Sequence, residues 1–334
     1  MANGCSTARS KRARGLGEHI YCARMARIAT VIVALLLVGC AGAPVVPEHP
    51  PRAEPLAPVT QADRPVIAFV LGSGAARGFA HVGALKAFDD AGIQADLVVG
   101  TSAGSVVGAL YAGGIRGDAL VEMARALERK QILEFVLPKR GFIDGDKLQS
   151  YVDQSLQGRL IEQLELPFVA VATELKTGTL TAFNRGDTGM AVRASCSVPA
   201  VFRPAQIEGR EYVDGGSVSP VPVRVARSLG ADIVIAINVS RHPTEPRDLS
   251  RTTDVITQIF IVMEDAIAKE ETKLADIVVQ PDLTGIRAAD LSARDRAIAA
   301  GEEAARAALP EIRRLIEQKS AAKAAALGAG TGRP

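Results

Sequence analysis

The chain has 334 residues, 48% of them hydrophobic, so it is long enough to bury one large core or two small ones. Aromatic residues make up only 4% and Trp is absent, which argues against a stacking surface for bases or sugars. The formal net charge is +2, but residues 1–39 hold six Lys or Arg and one Glu, and residues 40–334 hold 33 basic and 36 acidic residues, a net of −3. This balance gives no indication of a nucleic-acid partner.

The first 39 residues predict a bacterial lipoprotein signal peptide. Arg24 and Arg27 precede an eleven-residue apolar run at 28–38, which is too short to span a bilayer and typical of a signal h-region. The run ends at Gly39-Cys40 and resembles a lipobox, so Cys40 is the predicted lipidation site. An ordinary signal peptide with a chance Cys is the alternative, and Met25 is an alternative translation start.

The residues after this signal predict where the protein is held. Ala41, rather than Asp, follows the Cys, which in lipoproteins implies sorting to the outer membrane of the bacterial cell envelope, facing the periplasm. Residues 40–65 are rich in Pro and predict an extended tether between the lipidated Cys and the domain. Of the four Cys residues, Cys196 alone would keep a free thiol, so we expect no intrachain disulfide and interpret it as a small buried apolar residue.

From residue 66 onward, apolar runs alternate with helical segments. Strands are predicted at 66–71, 97–99, 168–173, 180–183, 233–239 and 276–279. Helices are predicted at 80–91, 105–112, 221–229, 251–273 and 292–318, with a helix-rich region at 118–163. Strands that alternate with helices predict an α/β fold, a three-layer α/β/α sandwich with a mostly parallel central sheet.

We predict one folded domain over residues 66–318, with its motifs at 66–240 and C-terminal helices at 251–318. Residues 319–334, rich in Ala and Gly, are predicted to be a disordered tail. The helix at 251–273 carries an apolar stripe that we predict to face the core. The stripe consists of Val255, Ile259, Val262, Met263 and Ala266.

A Gly-rich loop at 72–78 follows the first predicted strand, and three interpretations compete for it. A dinucleotide fingerprint requires Gly where Arg77 stands, and the G-K-[ST] of a P-loop is absent. The third interpretation is an oxyanion hole formed by the free backbone N–H groups of the loop.

Gly100-Thr101-Ser102-Ala103-Gly104 lies between a predicted strand and a predicted helix. This is the context in which G-x-S-x-G forms a nucleophile elbow. The two Gly residues let the strand and the helix approach closely, and Ser102 is predicted at the helix N-terminus, where backbone N–H groups can hold an anion. Because a Ser hydroxyl is a poor nucleophile without a base, the function depends on what partners Ser102.

The chain offers few bases for Ser102. Two of its four His residues lie in the signal and the tether, His81 precedes the Ser, and His242 lies in a polar loop. His242 alone has the chain order of an α/β-hydrolase triad, which leaves it as an alternative. A carboxylate is the other candidate, Asp214 in Val213-Asp214-Gly215-Gly216, although this triplet alone is a weak signal.

Together these segments resemble the patatin-like phospholipase family, in its bacterial neuropathy-target-esterase-like form. The resemblance covers about residues 66–240 and includes the segments 170–173 and 193–199. It implies a Ser–Asp dyad, with Ser102 as nucleophile and Asp214 as proton acceptor. The implied oxyanion-hole residues are Gly72, Gly74, Ala75, Ala76, Arg77 and Gly78. The motif glycines are Gly100, Gly104, Gly215 and Gly216.

The resemblance further implies an acyl hydrolase that acts on membrane lipid esters (a phospholipase, lysophospholipase or esterase). We expect no cofactor or metal, and calcium is not implied because the sequence has no loop of the EF-hand type. The side chain of Arg77 either helps to hold oxyanion or phosphate charge or anchors its loop. An acyltransferase and a catalytically silent outer-membrane scaffold are the alternatives, and a nucleotide-binding protein is a more distant one.

Overall fold

The computed structural model describes residues 48–55, 57–133, 143–245 and 249–330. The predicted signal peptide and Cys40 lie outside these residues. The described part of the predicted tether, 40–65, is held on the domain: the amide of Arg52 donates to the carbonyl of Arg185 at 2.9 Å, and the amide of Val59 donates to the carbonyl of Leu229 at 2.9 Å. This part is therefore not extended away from the domain, and the folded unit begins before residue 66.

The strands of the described residues form one mixed, eight-stranded sheet. They are β1 (Ile67–Leu71), β2 (Leu97–Thr101), β3 (Phe168–Glu174), β4 (Leu180–Phe183), β5 (Ala205–Ile207), β6 (Arg210–Asp214), β7 (Ile233–Ile237) and β8 (Ile277–Val279). Their order is β5-β6-β3-β2-β1-β7-β8, with β4 paired to β3. Strands β3, β2, β1, β7 and β8 pair in parallel, whereas β4, β5 and β6 make antiparallel pairs.

Helices cover both faces of this sheet. They are α1 (Phe79–Asp90), α2 (Ala103–Ala112), α3 (Gly117–Ala126), the short α4 (Arg129–Ile132), α5 (Asp146–Ser155), α6 (Thr188–Ser195), α7 (Val223–Ser228), α8 (Thr252–Thr272) and α9 (Arg294–Gly330). Side chains alternate between the two faces of a strand, so Phe69 and Leu71 pack with α1, α2 and α9, while Ala68 and Val70 pack with α7 and α8. The predicted three-layer sandwich with a mostly parallel sheet is confirmed.

Two parts of the fold differ from the prediction at the C-terminal end of the chain. Helix α9 continues to Gly330 through Pro310, so residues 319–330 of the predicted disordered tail are helical. The Ala-rich composition of this stretch explains the extension, because Ala has the highest helix propensity. Residues 331–334 lie outside the described residues.

The apolar stripe of α8 is the second difference. Val255, Ile259, Val262 and Met263 are exposed rather than in the core, so the prediction for this face is wrong. The side of α8 that packs on the domain holds Ile261, Ala268 and acidic residues. Among the described helices, α8 included, none has the length and hydrophobicity needed to cross a bilayer.

Candidate active site

The segment 100–104 forms a tight turn between β2, which ends at Thr101, and α2, which begins at Ala103. Ser102 sits at the tip with φ 54° and ψ −123°, a backbone conformation that costs a non-Gly residue free energy and that is held by its surroundings. A Cβ at Gly104 would lie 2.1 Å from the carbonyl oxygen of Leu71. The close approach predicted for this elbow therefore requires Gly104.

Sheet register brings Asp214 to Ser102. Strand β3 lies between β2 and β6, with Val171 opposite Thr101 and Ala172 opposite Asp214. The side chain of Ser102 donates a hydrogen bond through Oγ to Oδ2 of Asp214 at 2.5 Å, across 112 residues of sequence. Both side chains are buried, with exposed fractions of 6% and 5%.

The other oxygen of Asp214 is also held. The amide of Gly216 donates to Oδ1 at 2.7 Å, and the amide of Asp214 itself donates to the carbonyl of Ser197 at 2.9 Å. A Cβ at Gly215 would lie 2.2 Å from the carbonyl oxygen of Val171. The two glycines of the D-G-G triplet thus let the turn close around the carboxylate and aim Oδ2 at the serine.

Burial makes Asp214 an unusually strong base for a carboxylate. Removal from water raises the pKa of the Asp214 carboxyl to about 7; the hydrogen bond from Ser102 opposes this rise, and the negative charge of Glu264 adds to it. An unperturbed Asp has a pKa near 3.9 and little tendency to accept a proton at neutral pH. Here the proton affinity is matched to the pH at which a general base works best.

Helix α6 supports the elbow from the side. The amide of Ser102 donates to Oγ of Ser195 at 2.9 Å, and that hydroxyl donates to the carbonyl of Val171 at 2.6 Å. Cys196 is buried beside this pair, 3.8 Å from Oγ of Ser105, and burial raises the pKa of its thiol. These contacts explain the segment at 193–199, whose residues sequence reasoning noted without assigning them a role.

The Gly-rich loop lies against the elbow, because a Cβ at Gly78 would lie 2.5 Å from the Cβ of Ala103. Three amides of the predicted oxyanion set are already engaged: Gly72 donates to Ile237, Ala76 to Ala288 and Arg77 to Gly74.

Only part of the predicted oxyanion set therefore has amides open to a ligand. The amides of Gly74 and Ala75 donate no hydrogen bond in the part of the chain that the structure describes. Ala75 has a φ of 51°, which turns the backbone at this point. The amide of Ala103, the residue after the nucleophile, is a third donor of the kind that nucleophile elbows use.

The side chain of Arg77 anchors its loop. It is only 3% exposed and donates to Oε1 of Glu245 at 2.8 Å, the carbonyl of Leu283 at 3.0 Å and the carbonyl of Ser240 at 3.3 Å. These partners tie the loop after β1 to the segments after β7 and β8. Of the two interpretations of this side chain, the contacts fit the anchor.

Neither His242, the alternative base, nor His81 is a partner of Ser102. His81 is fully buried and shares a hydrogen bond of 2.8 Å with the carbonyl of Gly72, and burial lowers its pKa to about 4. The neutral ring therefore holds the Gly-rich loop through an N–H donor. His242 is half-exposed and contacts Oδ1 of Asp265 at 3.2 Å and the amide of Gln280 at 3.0 Å.

Sequence reasoning missed Glu264, which comes from α8. Its Oε1 accepts a hydrogen bond from Oγ of Ser73 at 2.7 Å, and a Cβ at Gly216 would lie 2.4 Å from the same oxygen. Burial raises the pKa of Glu264 as well. No motif marks this residue, because it lies 50 residues beyond Asp214 in a helix whose spacing indicated only an apolar stripe.

The arrangement suits acyl transfer to a serine. It combines a buried nucleophile at the tip of a strained turn, a carboxylate base and backbone donors beside the nucleophile. Within the described ranges, no group of three or more His, Cys, Asp or Glu side chains is placed to hold a metal ion.

Comparison with known proteins finds similarity to one family of lipid hydrolases. Residues 69–227 match the patatin-like phospholipase family. An uncharacterized NTE family protein of Mycobacterium tuberculosis is 35% identical over 185 residues, which are 54% of this chain and 51% of that protein. Patatin-like phospholipase domain-containing protein 6 of Homo sapiens is 32% identical over 229 residues, 66% of this chain and 16% of that protein.

Among solved structures, VipD from Legionella pneumophila has a TM-score of 0.50 at 12% identity, with 80% of this chain and 68% of VipD covered, a likeness of fold alone. The chain spans about half the length of the mycobacterial relative. The matched segment contains the elbow, the Gly-rich loop and the D-G-G triplet. Residues 69–227 are thus similar in sequence to the patatin-like phospholipase family, and the chain is similar to proteins of the NTE family.

Proposed function

We propose that this chain is a serine lipid acyl hydrolase in which Ser102 and Asp214 form a catalytic dyad. The observation that carries the proposal is the 2.5 Å hydrogen bond from Oγ of Ser102 to Oδ2 of Asp214, made at the tip of a strained elbow. The domain family and the relatives named for phospholipases support the lipid ester as substrate.

Acylation begins when Oγ of Ser102 attacks the carbonyl carbon of the ester and passes its proton to Oδ2 of Asp214. The negative charge then develops on the former carbonyl oxygen. The amides of Gly74, Ala75 and Ala103 are the donors that can stabilise it. When the tetrahedral intermediate collapses, the bond to the alcohol oxygen breaks, and the leaving alkoxide takes the proton from Asp214.

Deacylation repeats these steps with water. Asp214 accepts a proton from a water molecule, whose oxygen attacks the acyl-enzyme carbonyl. The fatty acid leaves, and Oγ of Ser102 recovers the proton. A single carboxylate serves both half-reactions because burial raises the pKa of Asp214 to about 7, so it accepts and returns a proton near neutral pH.

The cellular setting is part of the proposal. The lipobox-like Gly39-Cys40 and the basic and apolar residues before it support a lipoprotein anchored in the bacterial outer membrane through Cys40. Stable anchoring needs more than one acyl chain, which lipoprotein maturation supplies. Such an anchor would keep the domain near phospholipid, its proposed substrate.

The test is fatty-acid release from defined phospholipids and lysophospholipids by the full chain and by Ser102→Ala. Ser228→Ala is the matched control, since that hydroxyl bonds the carbonyl of Val225 on α7 at 2.8 Å, outside the candidate site. We expect release by the wild type and the control and none by Ser102→Ala. A fluorophosphonate probe should label the wild type at Ser102; full activity of Ser102→Ala would refute the assignment.

A further inference from the structure

Helix α8 has its apolar side turned outward. Its outer face consists of Val255, Ile256, Ile259, Phe260, Val262 and Met263. These six side chains are between 37% and 53% exposed. A surface helix ordinarily turns its apolar stripe to the core and its charges to water. A contiguous exposed patch of this kind marks an interaction surface.

The inner side of α8 carries acidic side chains that bond segments beside the candidate active site. Glu264 accepts from Ser73 of the Gly-rich loop. Glu271 accepts from the hydroxyl of Ser219 and from the amide of Val221, in the segment that follows the D-G-G triplet. These bonds fix the rotation of the helix about its axis.

The same bonds place the outer face near the catalytic pair. A Cβ at Gly216 would lie 2.4 Å from Glu264 and 3.0 Å from Oδ1 of Asp214, so the two carboxylates are close neighbours. An α-helix with its side chains is about 10 Å across. The outer face therefore lies about one helix diameter from the carboxylate that faces Ser102.

We infer that the outer face of α8 docks on a phospholipid membrane. The inference rests on the proposed function, because the phospholipid esters proposed as substrate lie in a bilayer. A helix that lies in the membrane interface sinks its apolar face about 5–10 Å into the headgroup and acyl boundary. Docking at this face would bring the ester bonds of the lipid to the side of the domain that holds Ser102.

The chemistry of the face favours lipid over a protein partner. Four of its six side chains are Val or Ile, and the face holds no Tyr, Trp or Arg, the residues that dominate the binding energy of protein interfaces.

The charges at the ends of the face fit the same occupant. Arg251 at one end and Lys269 and Lys273 at the other have side chains that are 78%, 62% and 66% exposed. Each also pairs with a carboxylate of α8. Long basic side chains at the edge of an apolar stripe reach lipid phosphates while their stems stay on the apolar side.

The absence of Trp from the chain allows a direct test. Phe260→Trp puts a single fluorophore on the outer face, and Leu327→Trp puts one at an exposed position of α9 as the matched control. Both are made in the full chain with Ser102→Ala, so that the lipid is not consumed. Vesicles of phosphatidylethanolamine and phosphatidylglycerol are the probe.

We expect vesicles to move the emission of Phe260→Trp to shorter wavelength and to leave that of Leu327→Trp unchanged. No movement for Phe260→Trp overturns the inference. Emission that is already at short wavelength without vesicles overturns it too. If dilution reverses that short-wavelength emission, a second copy covers the face. If dilution does not, another segment of this chain covers it, such as the apolar run at 28–38.

Turnover provides a second readout. Ile259→Gln with Met263→Gln should lower the rate on vesicles relative to the rate on a soluble short-chain ester by about tenfold. The control pair, Leu175→Gln with Leu327→Gln, removes exposed apolar side chains elsewhere and should leave this ratio unchanged. An unchanged ratio in the α8 pair counts against docking. If the wild type hydrolyses neither substrate, the proposed function fails, while the emission experiment still decides whether the face docks.

Discussion

Helices α2 and α8 both border the candidate active site, yet α2 is buried whereas α8 turns an apolar face to water. Helix α2 is buried along nearly its whole length, and its first turn holds Ser102 in a strained conformation. Helix α8 buries the carboxylates of Asp265 and Glu271, half-buries that of Glu264, and exposes most of its large apolar side chains. The first helix is placed by close packing, and the second by hydrogen bonds that its acidic side chains accept.

The difference teaches what periodicity can and cannot predict. Spacing identifies which side chains share a face of a helix, but not whether that face points inward. For α2, the glycines of the elbow and the preceding strand β2 determine which face of the helix points inward. For α8, the partners are Ser73 and Ser219, far away in sequence, and only the folded chain brings them to Glu264 and Glu271.

The largest effect is expected at Asp214, the proposed base of Ser102. Asp214→Asn keeps the shape of the side chain but removes the base, so we expect fatty-acid release to fall by at least about a thousandfold. Asp118→Asn is the control, because that side chain is 87% exposed on α3. Circular dichroism should show both variants folded. Asp214→Asn activity within tenfold of wild type would show that Ser102 has another base.

The packing that defines α2 can be broken by one methyl group. In Gly104→Ala, the new Cβ would meet the carbonyl oxygen of Leu71 at 2.1 Å, backbone that cannot move without opening the elbow. We expect a loss of about 3 kcal/mol in the free energy of unfolding, measured by urea denaturation.

Gly108→Ala in the same helix is the control for this loss. Its nearest neighbours, Phe168 and Val98, lie at 3.1 Å and are side chains that can shift. It should cost far less than Gly104→Ala. Equal losses would show that the elbow is no tighter than the rest of α2.

Much of the site could be predicted from the sequence because its motifs are local. The elbow, the Gly-rich loop and the D-G-G triplet each lie in a few consecutive residues whose conformation follows from Gly and from the flanking strands. The placement of Asp214 beside Ser102 came from the family resemblance, and the register of β2, β3 and β6 supplies its physical reason.

What could not be predicted depends on contacts between distant segments. Which loop amides are free depends on acceptors such as Ile237 and Ala288, which no local pattern identifies. The anchoring of Arg77 and the position of Glu264 also depend on contacts between segments that are distant in sequence. Helix α6 and strand β5 also lack a clear signal, because both are short and lie between irregular segments.

The negative charge of Glu264 on α8 should affect the pH dependence of activity. Asp214 acts as a base only when ionised, so activity should fall as the pH drops through about 7, the raised pKa of its carboxyl. Glu264→Gln removes a negative charge that adds to this rise, so ionisation of Asp214 becomes easier. We expect the acidic limb of kcat/KM to move to lower pH.

Two variants separate this electrostatic effect from a merely structural one. Ser73→Ala removes the hydrogen bond to Glu264 but leaves its charge, so the acidic limb should not move downward. Glu264→Asp retains the charge and should keep the limb near that of the wild type. A limb that stays in place in Glu264→Gln contradicts the coupling between the two carboxylates.

The smallest effect is expected on the outer face of α8, and it tests the orientation of the helix directly. Ile259 and Ile261 are identical residues two positions apart, but Ile259 is 53% exposed and Ile261 only 2%. In the absence of lipid, Ile259→Ala should change the free energy of unfolding by no more than about 0.5 kcal/mol. Ile261→Ala should cost about 3 kcal/mol, since it opens a cavity beneath the helix. If urea denaturation shows a larger loss for Ile259→Ala than for Ile261→Ala, the apolar stripe faces the core. The proposed membrane-docking face would then not exist.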